Sequence, residues 1–255
     1  MKTVFEIITN PIAIVLYMYV GLWVWESVAP AKILPKMPFW KLRGVLFFVF
    51  NFVLASALPL LVDRHLAKFQ LMDAGDTNPV LAAFIGVTIY QGILYAWHRA
   101  MHGSNFLWKV FHQMHHSTER LDIPSAFYTS PMDTIGFTLI GSLSFVLIFG
   151  LSPEAATLAL LFLTFLSLFQ HSNIKTPRWI GFLIQRPESH SVHHGRGVHR
   201  YNYADFPVYD MIFGTFKNPK NFHPQTGFYD GASGRILDML VFKDVSAPSE
   251  KQRTS

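Results

Sequence analysis

Residues 80–102 read VLAAFIGVTIYQGILYAWHRAMH, and this stretch decides the fold. Val80 to Trp97 is an apolar run with Gln91 inside it. As a helix rising about 1.5 Å per residue, it reaches the roughly 17–25 residues that cross a bilayer core. The run ends in His98 and His102. Residues three and four apart share a helix face. Both imidazoles therefore leave the end of one span in one direction, with Gln91 and Tyr95 on the same face.

Four more apolar runs flank it: Ile7 to Trp25, Leu42 to Val62, Ile135 to Leu151 and Ala155 to Phe169. The first two reach spanning length, the fourth run of the chain sits at the lower limit and the fifth is short. Ser152-Pro153-Glu154 supplies an N-cap, a proline at the first helical position and an early acid. The last two runs thus read as a helical hairpin. The expected fold class is all-α: an integral membrane bundle of four to five apolar helices with a cytoplasmic His-rich helical cap. One membrane domain, 1–255, divides into N-terminal spans (1–97), a cytoplasmic His loop (98–134), the hairpin (135–170), a His-containing cap (171–245) and a tail (246–255) that reads as disordered. There is no internal repeat.

Composition narrows the function classes. Apolar residues make up 51% and charged residues 15%, against about 25% charged in average soluble proteins. The chain has no cysteine, which excludes disulfides, Cys-ligated zinc, iron–sulfur clusters and a thiolate nucleophile. The net charge of +5 comes from basic residues in loops beside apolar runs, which suits a membrane surface and not nucleic acid. Met1 to Glu6 makes a poor signal peptide, so the first run is expected to be a retained anchor. Lys32, Lys36, Lys41 and Arg43 flank the first two spans without an acid. By the positive-inside rule that loop is cytoplasmic, and so are 98–134 and everything from His171 onward. Trp40, Trp97, Trp108 and Trp179 fall at the expected interfaces. The turn Phe213-Gly214-Thr215-Phe216 is expected to pack the cap onto the bilayer.

Of twelve histidines, only His65 lies on the other side. His98 and His102 form HxxxH. His112, His115 and His116 form HxxHH, and His190, His193 and His194 form a second HxxHH. His171 stands where the fifth span ends. At helical spacing each cluster can aim two or three imidazoles at one point, and together they exceed what one metal can use. Neutral imidazole suits iron, zinc, copper or nickel. No histidine is followed by glutamate, so the HExxH of zinc proteases is absent, and a b-type haem would use only one or two of these rings. A pair of irons that activates dioxygen fits the set best. The alternative is a His-rich membrane protein that binds or transports metal, which would place ligands within the spans and not at one mouth.

At these residues the chain resembles the fatty acid hydroxylase superfamily, also called the sterol desaturase family. The matching pieces are Trp97-His-Arg-Ala-Met-His102, Phe111-His-Gln-Met-His-His-Ser117, Phe169-Gln-His-Ser-Asn173, His190-Ser-Val-His-His194, Asn202-Tyr-Ala-Asp205 and Tyr209-Asp-Met-Ile-Phe-Gly-Thr-Phe216, spread over Val80 to Pro219. The resemblance implies a membrane-bound non-haem enzyme with two Fe ions that uses dioxygen and two electrons to hydroxylate or desaturate a lipid: a sterol, fatty acyl chain, sphingoid base, carotenoid or ether lipid. Carried over by position, the ligands are His98, His102, His112, His115, His116, His171, His190, His193 and His194, with His199 a weaker candidate. Many members carry Arg-x-His-Pro-x-Glu after the first HxxHH. Here Tyr128-Thr-Ser-Pro-Met-Asp133 keeps the proline, with Asp133 in place of the glutamate, a departure that bears on substrate subclass.

Asp133, Glu188, Asp205 and Asp210 are candidates to accept from the second ring nitrogen of a ligating histidine. Gln91 is expected either to bond a ligand or to bond a neighbouring helix, and Arg196 and Arg200 read as surface charge. No Cys cluster, dinucleotide fingerprint or fused cytochrome segment is visible, so electrons are expected from an external donor of ferredoxin or cytochrome type. A bacterial inner membrane is preferred to the endoplasmic reticulum.

Overall fold

The computed structural model describes residues 10–248. Five of its helices are long and apolar enough to cross a membrane. They are α1 (Pro11–Val28), α2 (Trp40–Leu66), α3 (Pro79–Gly103), α5 (Pro131–Ser142, continued by the π-helix Leu143–Ile148) and α6 (Pro153–His171). Between α3 and α5 lies α4, built from Asn105–Leu107, the π-turn Trp108–His112 and Gln113–His116. The cap adds α7 (Pro187–His193), α8 (Pro207–Ile212) and α9 (Ile236–Leu240).

The helix starts follow one local rule. α1, α3, α5 and α6 each begin with Asn or Ser followed by proline. Asn10, Asn78, Ser130 and Ser152 accept from backbone N–H groups of the first turn, which otherwise lack partners. The turn between α5 and α6 passes through Gly150 at φ +55, where a Cβ would also collide with the Gln70 amide.

The sequence boundaries shift in informative ways. The first span begins at Pro11 and ends at Val28, later than the expected run; Ile7 to Thr9 lie outside the described residues. The fifth is a full 19 residues, starting at Pro153 and continuing past Phe169 through Gln170 and His171, which are buried against protein. The disordered tail was expected from 246. Residues 249–255 lie outside the described residues, but Ser246 Oγ accepts from Trp108 Nε1 at 2.9 Å. Trp40 is not an interfacial ring either. It is 3% exposed, and its Nε1 donates to Asp122.

α1, α2 and α6 pack around Tyr19, Phe48 and Leu168, with Tyr19 and Phe48 stacked at 4.3 Å. α3, α5 and α6 pack around Val87, Phe145 and Ala159. All five helices therefore share one bundle, in which the histidine-bearing ends of α3 and α6 lie together. At that end the Glu26 carboxylate, 7% exposed, accepts from Ile123 N–H at 3.0 Å and Asn173 N–H at 2.9 Å. One side chain of α1 thereby fastens the segment after α4 and the segment after α6. A buried carboxylate is tolerated only with such partners.

Gly44 of α2 lies against Pro124, so close that an added Cβ would sit 2.4 Å from Pro124 Cβ. Both partners are rigid, so relief requires moving the backbone. Gly44→Ala is expected to cost about 1–3 kcal/mol, read as a lower unfolding temperature in detergent. An unchanged transition would mean that α2 and the 123–125 turn are not in this contact.

Candidate metal centre

The structure brings all nine sequence-predicted histidines into two groups. His98, His102, His112, His116 and His193 offer ring nitrogens within 4.8 Å of one another, as do His115, His171, His190 and His194. The HxxHH clusters do not each serve one point, as the spacing suggested. In α4, His112 and His116 (i, i+4) join the first group while His115 turns to the second. In α7 the assignment is reversed: His190 and His194 join the second group and His193 the first. The π-turn Trp108–His112 brings His112 into position at the start of this pattern. The groups abut, with the His116 and His194 rings stacked at 4.1 Å.

Backbone carbonyls, an amide and a carboxylate fix the ring orientations. His98 Nδ1 donates to Tyr203 O at 2.7 Å, His193 Nδ1 to Tyr201 O at 2.7 Å, and His112 Nδ1 to Asp133 Oδ2 at 2.9 Å. In the second group His171 Nδ1 donates to Ser167 O at 2.6 Å and His190 Nδ1 to Gln185 Oε1. A neutral imidazole has one N–H. With Nδ1 donating, Nε2 of each of these rings is a bare lone pair. Yet His98 Nε2 faces His112 Nε2 at 2.9 Å, and His171 Nε2 faces His190 Nε2 at 3.0 Å. Bare lone pairs so close repel unless they share a cation. His102 Nε2 and His193 Nε2 are buried without a partner as well. Each group thus has the donor set of an imidazole-ligated metal, and its residues fit one.

Of Asp133, Glu188, Asp205 and Asp210, Asp133 is the one bonded to a ring of either group. Its Oδ2 also accepts from Thr129 at 2.6 Å. Glu188 pairs with Arg186 and Thr176. Asp210 accepts from the backbone N–H groups of Tyr203 and Ala204, and Asp205 accepts from Gln91 and Gln170. Gln91 therefore bonds the cap and no ligand. Tyr201 and Asn202 have φ of 71° and 52°, left-handed values that cost non-glycine residues energy. Asn202 holds the strained loop by donating to Ser189 O and Lys217 O and accepting from Lys217 N–H. His199 lies outside both groups, with Nδ1 3.1 Å from His116 Nδ1. Arg196 makes an ion pair with the exposed Asp230. Sequence reasoning missed Gln185, Ser167, Tyr201 and Tyr203. Three of these act through backbone oxygens, which leave no side-chain signal.

An apolar cavity of about 530 Å³ leads to the centre. Its lining runs from Pro11, Pro59 and Thr157 at the far ends of α1, α2 and α6 to His98, His112, His115, His171 and His190. Thr157 to His171 alone spans about 21 Å of helix.

Fold and site together define a helical membrane protein with a paired imidazole centre at the foot of an apolar cavity. Residues 83–215 match the fatty acid hydroxylase family model, and the chain belongs to that family. Sphinganine C4-monooxygenase 1 of Arabidopsis thaliana is 33% identical over 134 residues, 48% of each chain. Very-long-chain aldehyde decarbonylase GL1-9 of Oryza sativa subsp. indica is 28% identical over 175 residues, 62% of this chain and 67% of its own. Alkylglycerol monooxygenase of Caenorhabditis elegans is 26% identical over 134 residues, 51% of this chain and 26% of its own. The chain spans about half the length of the sphinganine C4-monooxygenase it matches. No solved structure matches it.

Two predictions follow from the ring chemistry. Burial first, and neighbouring rings second, push His112, His115, His116, His190, His193 and His194 well below the ordinary histidine pKa of 6.5. The unfolded chain then binds more protons than the folded one below that value, so stability rises with pH through that range. Metal-free protein is expected to lose unfolding temperature steadily as pH falls from about 6.5, and a flat profile between pH 7.5 and 5.5 would contradict the buried neutral rings. Asp133→Asn should lower metal affinity about 10–100-fold, measured by chelator competition, because the amide no longer enforces the Nδ1–H tautomer of His112.

Proposed function

We propose that this chain is a membrane-bound non-haem di-iron oxygenase that hydroxylates or desaturates a lipid, using dioxygen and electrons from an external ferredoxin- or cytochrome-type donor. The single observation that carries the reading is the meeting of two imidazole groups with one end of an apolar, lipid-sized cavity. Imidazole nitrogens suit iron, zinc, copper or nickel, and family membership favours iron among them. One iron would be held by His98, His102, His112, His116 and His193, the other by His115, His171, His190 and His194. When bound, the irons supply the dioxygen chemistry that a protein side chain cannot.

The residues around them do the rest. Tyr203 O, Tyr201 O, Asp133, Ser167 O and Gln185 hold the Nδ1 protons, so each Nε2 stays free to ligate. Val15, Phe52, Leu94, Phe137 and Leu161 line the approach and exclude water while an aliphatic chain is held. The named activities of the relatives, sphinganine C4-monooxygenation and alkylglycerol monooxygenation among them, agree with a lipid substrate. We place the centre on the cytoplasmic side from the basic loop at Lys32 to Arg43, and a bacterial inner membrane is the proposed setting. The divisions of the chain follow the same reading: spans in 1–97, the His loop in 98–134, the hairpin in 135–170 and the cap in 171–245.

Protein purified anaerobically with iron is expected to carry about two irons per chain, and His98→Ala with His112→Ala about one. Membranes containing it should consume dioxygen and yield an oxidised lipid when given a reduced ferredoxin or cytochrome. Oxidation that persists after complete removal of iron would end the proposal.

A further inference from the structure

Gln170 sits one residue before His171 in the last turn of α6 and lines the cavity at its histidine end. Its side chain is 6% exposed. Nε2 donates to Asp205 Oδ1 at 2.9 Å, and Asp205 Oδ2 accepts from Gln91 Nε2 at 2.8 Å. Gln91 cannot be turned around, because its Oε1 accepts from the backbone N–H groups of Asp205 and Phe206 at 2.9 and 3.3 Å. Two backbone donors therefore fix Gln91, Gln91 presents an N–H to Asp205, and the carboxylate takes the N–H end of Gln170. Reversing the Gln170 amide would set two acceptors face to face.

This chain of constraints leaves Gln170 Oε1 as a buried acceptor with no protein donor. Buried carbonyl oxygens are nearly always bonded. Asp133 Oδ1 is a second orphaned acceptor on the cavity wall, but it belongs to the carboxylate that orients His112. Gln170 orients no ring, and its free atom points to a ligand.

We propose that Gln170 Oε1 receives a hydrogen bond from a hydroxyl or amine that the lipid carries near its reacting carbon. The inference rests on the oxygenase reading above and sharpens its substrate class. The lipid enters with its polar, hydrogen-bond-donating end beside the histidines and its aliphatic end toward Pro59 and Thr157. A lipid that reacted at its terminal methyl would reverse this arrangement. It would leave Oε1 unpaired and set its head group among Phe52, Ala55 and Leu161. Oxidation within a few carbons of the donor group follows, and Gln170 is the residue that determines it.

The test needs no turnover. Full-length protein in nanodiscs, charged with a fluorescent fatty-acyl probe, is titrated with hexadecan-1-ol, its methyl ether and hexadecane. Ala55→Trp serves as the cavity-filling control. Wild type is expected to bind the alcohol about tenfold tighter than either partner. Gln170→Leu should bind all three alike, with its hexadecane affinity little changed. If Gln170→Leu fails to fold, Gln170→Met takes its place, and equal affinity of wild type for alcohol and ether overturns the assignment without any variant. Equal affinity of wild type for alcohol and ether, or an undiminished preference in Gln170→Leu, overturns the assignment while leaving the oxygenase reading intact. Probe binding that Ala55→Trp does not weaken would show that lipid does not occupy the cavity, and both readings would fall together.

Discussion

Two imidazoles that have each given their Nδ1 proton to an oxygen can meet Nε2 to Nε2 only around a cation. That repulsion, present once in each histidine group at 2.9 and 3.0 Å, is the constraint on which the rest of the structure depends. It must be held by geometry, because the rings cannot relieve it by changing tautomer without stranding Tyr203 O, Asp133, Ser167 O or Gln185. Burial makes the alternative, protonation, costly as well, since a charged ring in a dry site loses its hydration. Neutral rings with their lone pairs converging are also the form in which histidine binds metal. The same desolvation that destabilises the protonated ring thus prepares the ligand.

Holding that arrangement falls to parts of the chain that carry no ligand. The loop 199–205 accepts left-handed backbone at three non-glycine residues, His199, Tyr201 and Asn202, and places two carbonyls under His98 and His193. Asn202 and Asp210 restrain it from either side. α1 contributes no histidine, but its Glu26 ties together the segments that follow α4 and α6. Asp205 joins Gln91 of α3 to Gln170 of α6 and so locks two histidine-bearing spans at the same level. Each of these is a buried polar group with its partners supplied, as a low-dielectric interior requires.

The sequence carried part of this openly. Three apolar runs of spanning length and two shorter ones marked the five helices, HxxxH and HxxHH spacings marked eight of the histidines, and His171 stood at the end of the fifth run. The partition of those rings was hidden. A spacing of three and four says which side chains share a face, but each HxxHH divides between two centres, and that depends on how α4 and α7 are crossed by α3 and α6. Carbonyl acceptors were hidden for a different reason: every residue has one, so Tyr203 and Ser167 look like any other position. Four acids met the description of a partner for a ligating ring, and only the fold distinguishes Asp133, which the N-terminus of α5 carries to His112, from Asp205, which two glutamines occupy. Trp40 misled because a tryptophan near a span end suits the interface equally well as it suits a buried bond to Asp122.

The two sides of the histidine layer are chemically different. Toward the bundle, the rings meet an apolar cavity whose walls belong to α1, α2, α3, α5 and α6. Toward the cap, His102 and His116 meet the Trp108 ring at 5.0 and 5.1 Å, and His116 meets the half-buried His199. Trp108 is itself held by Ser246, and Gln113 accepts from Val245 N–H at 3.2 Å. The segment after α9 therefore closes the polar side of α4. The histidine layer thus has an apolar cavity on one face and a cover of cap residues on the other.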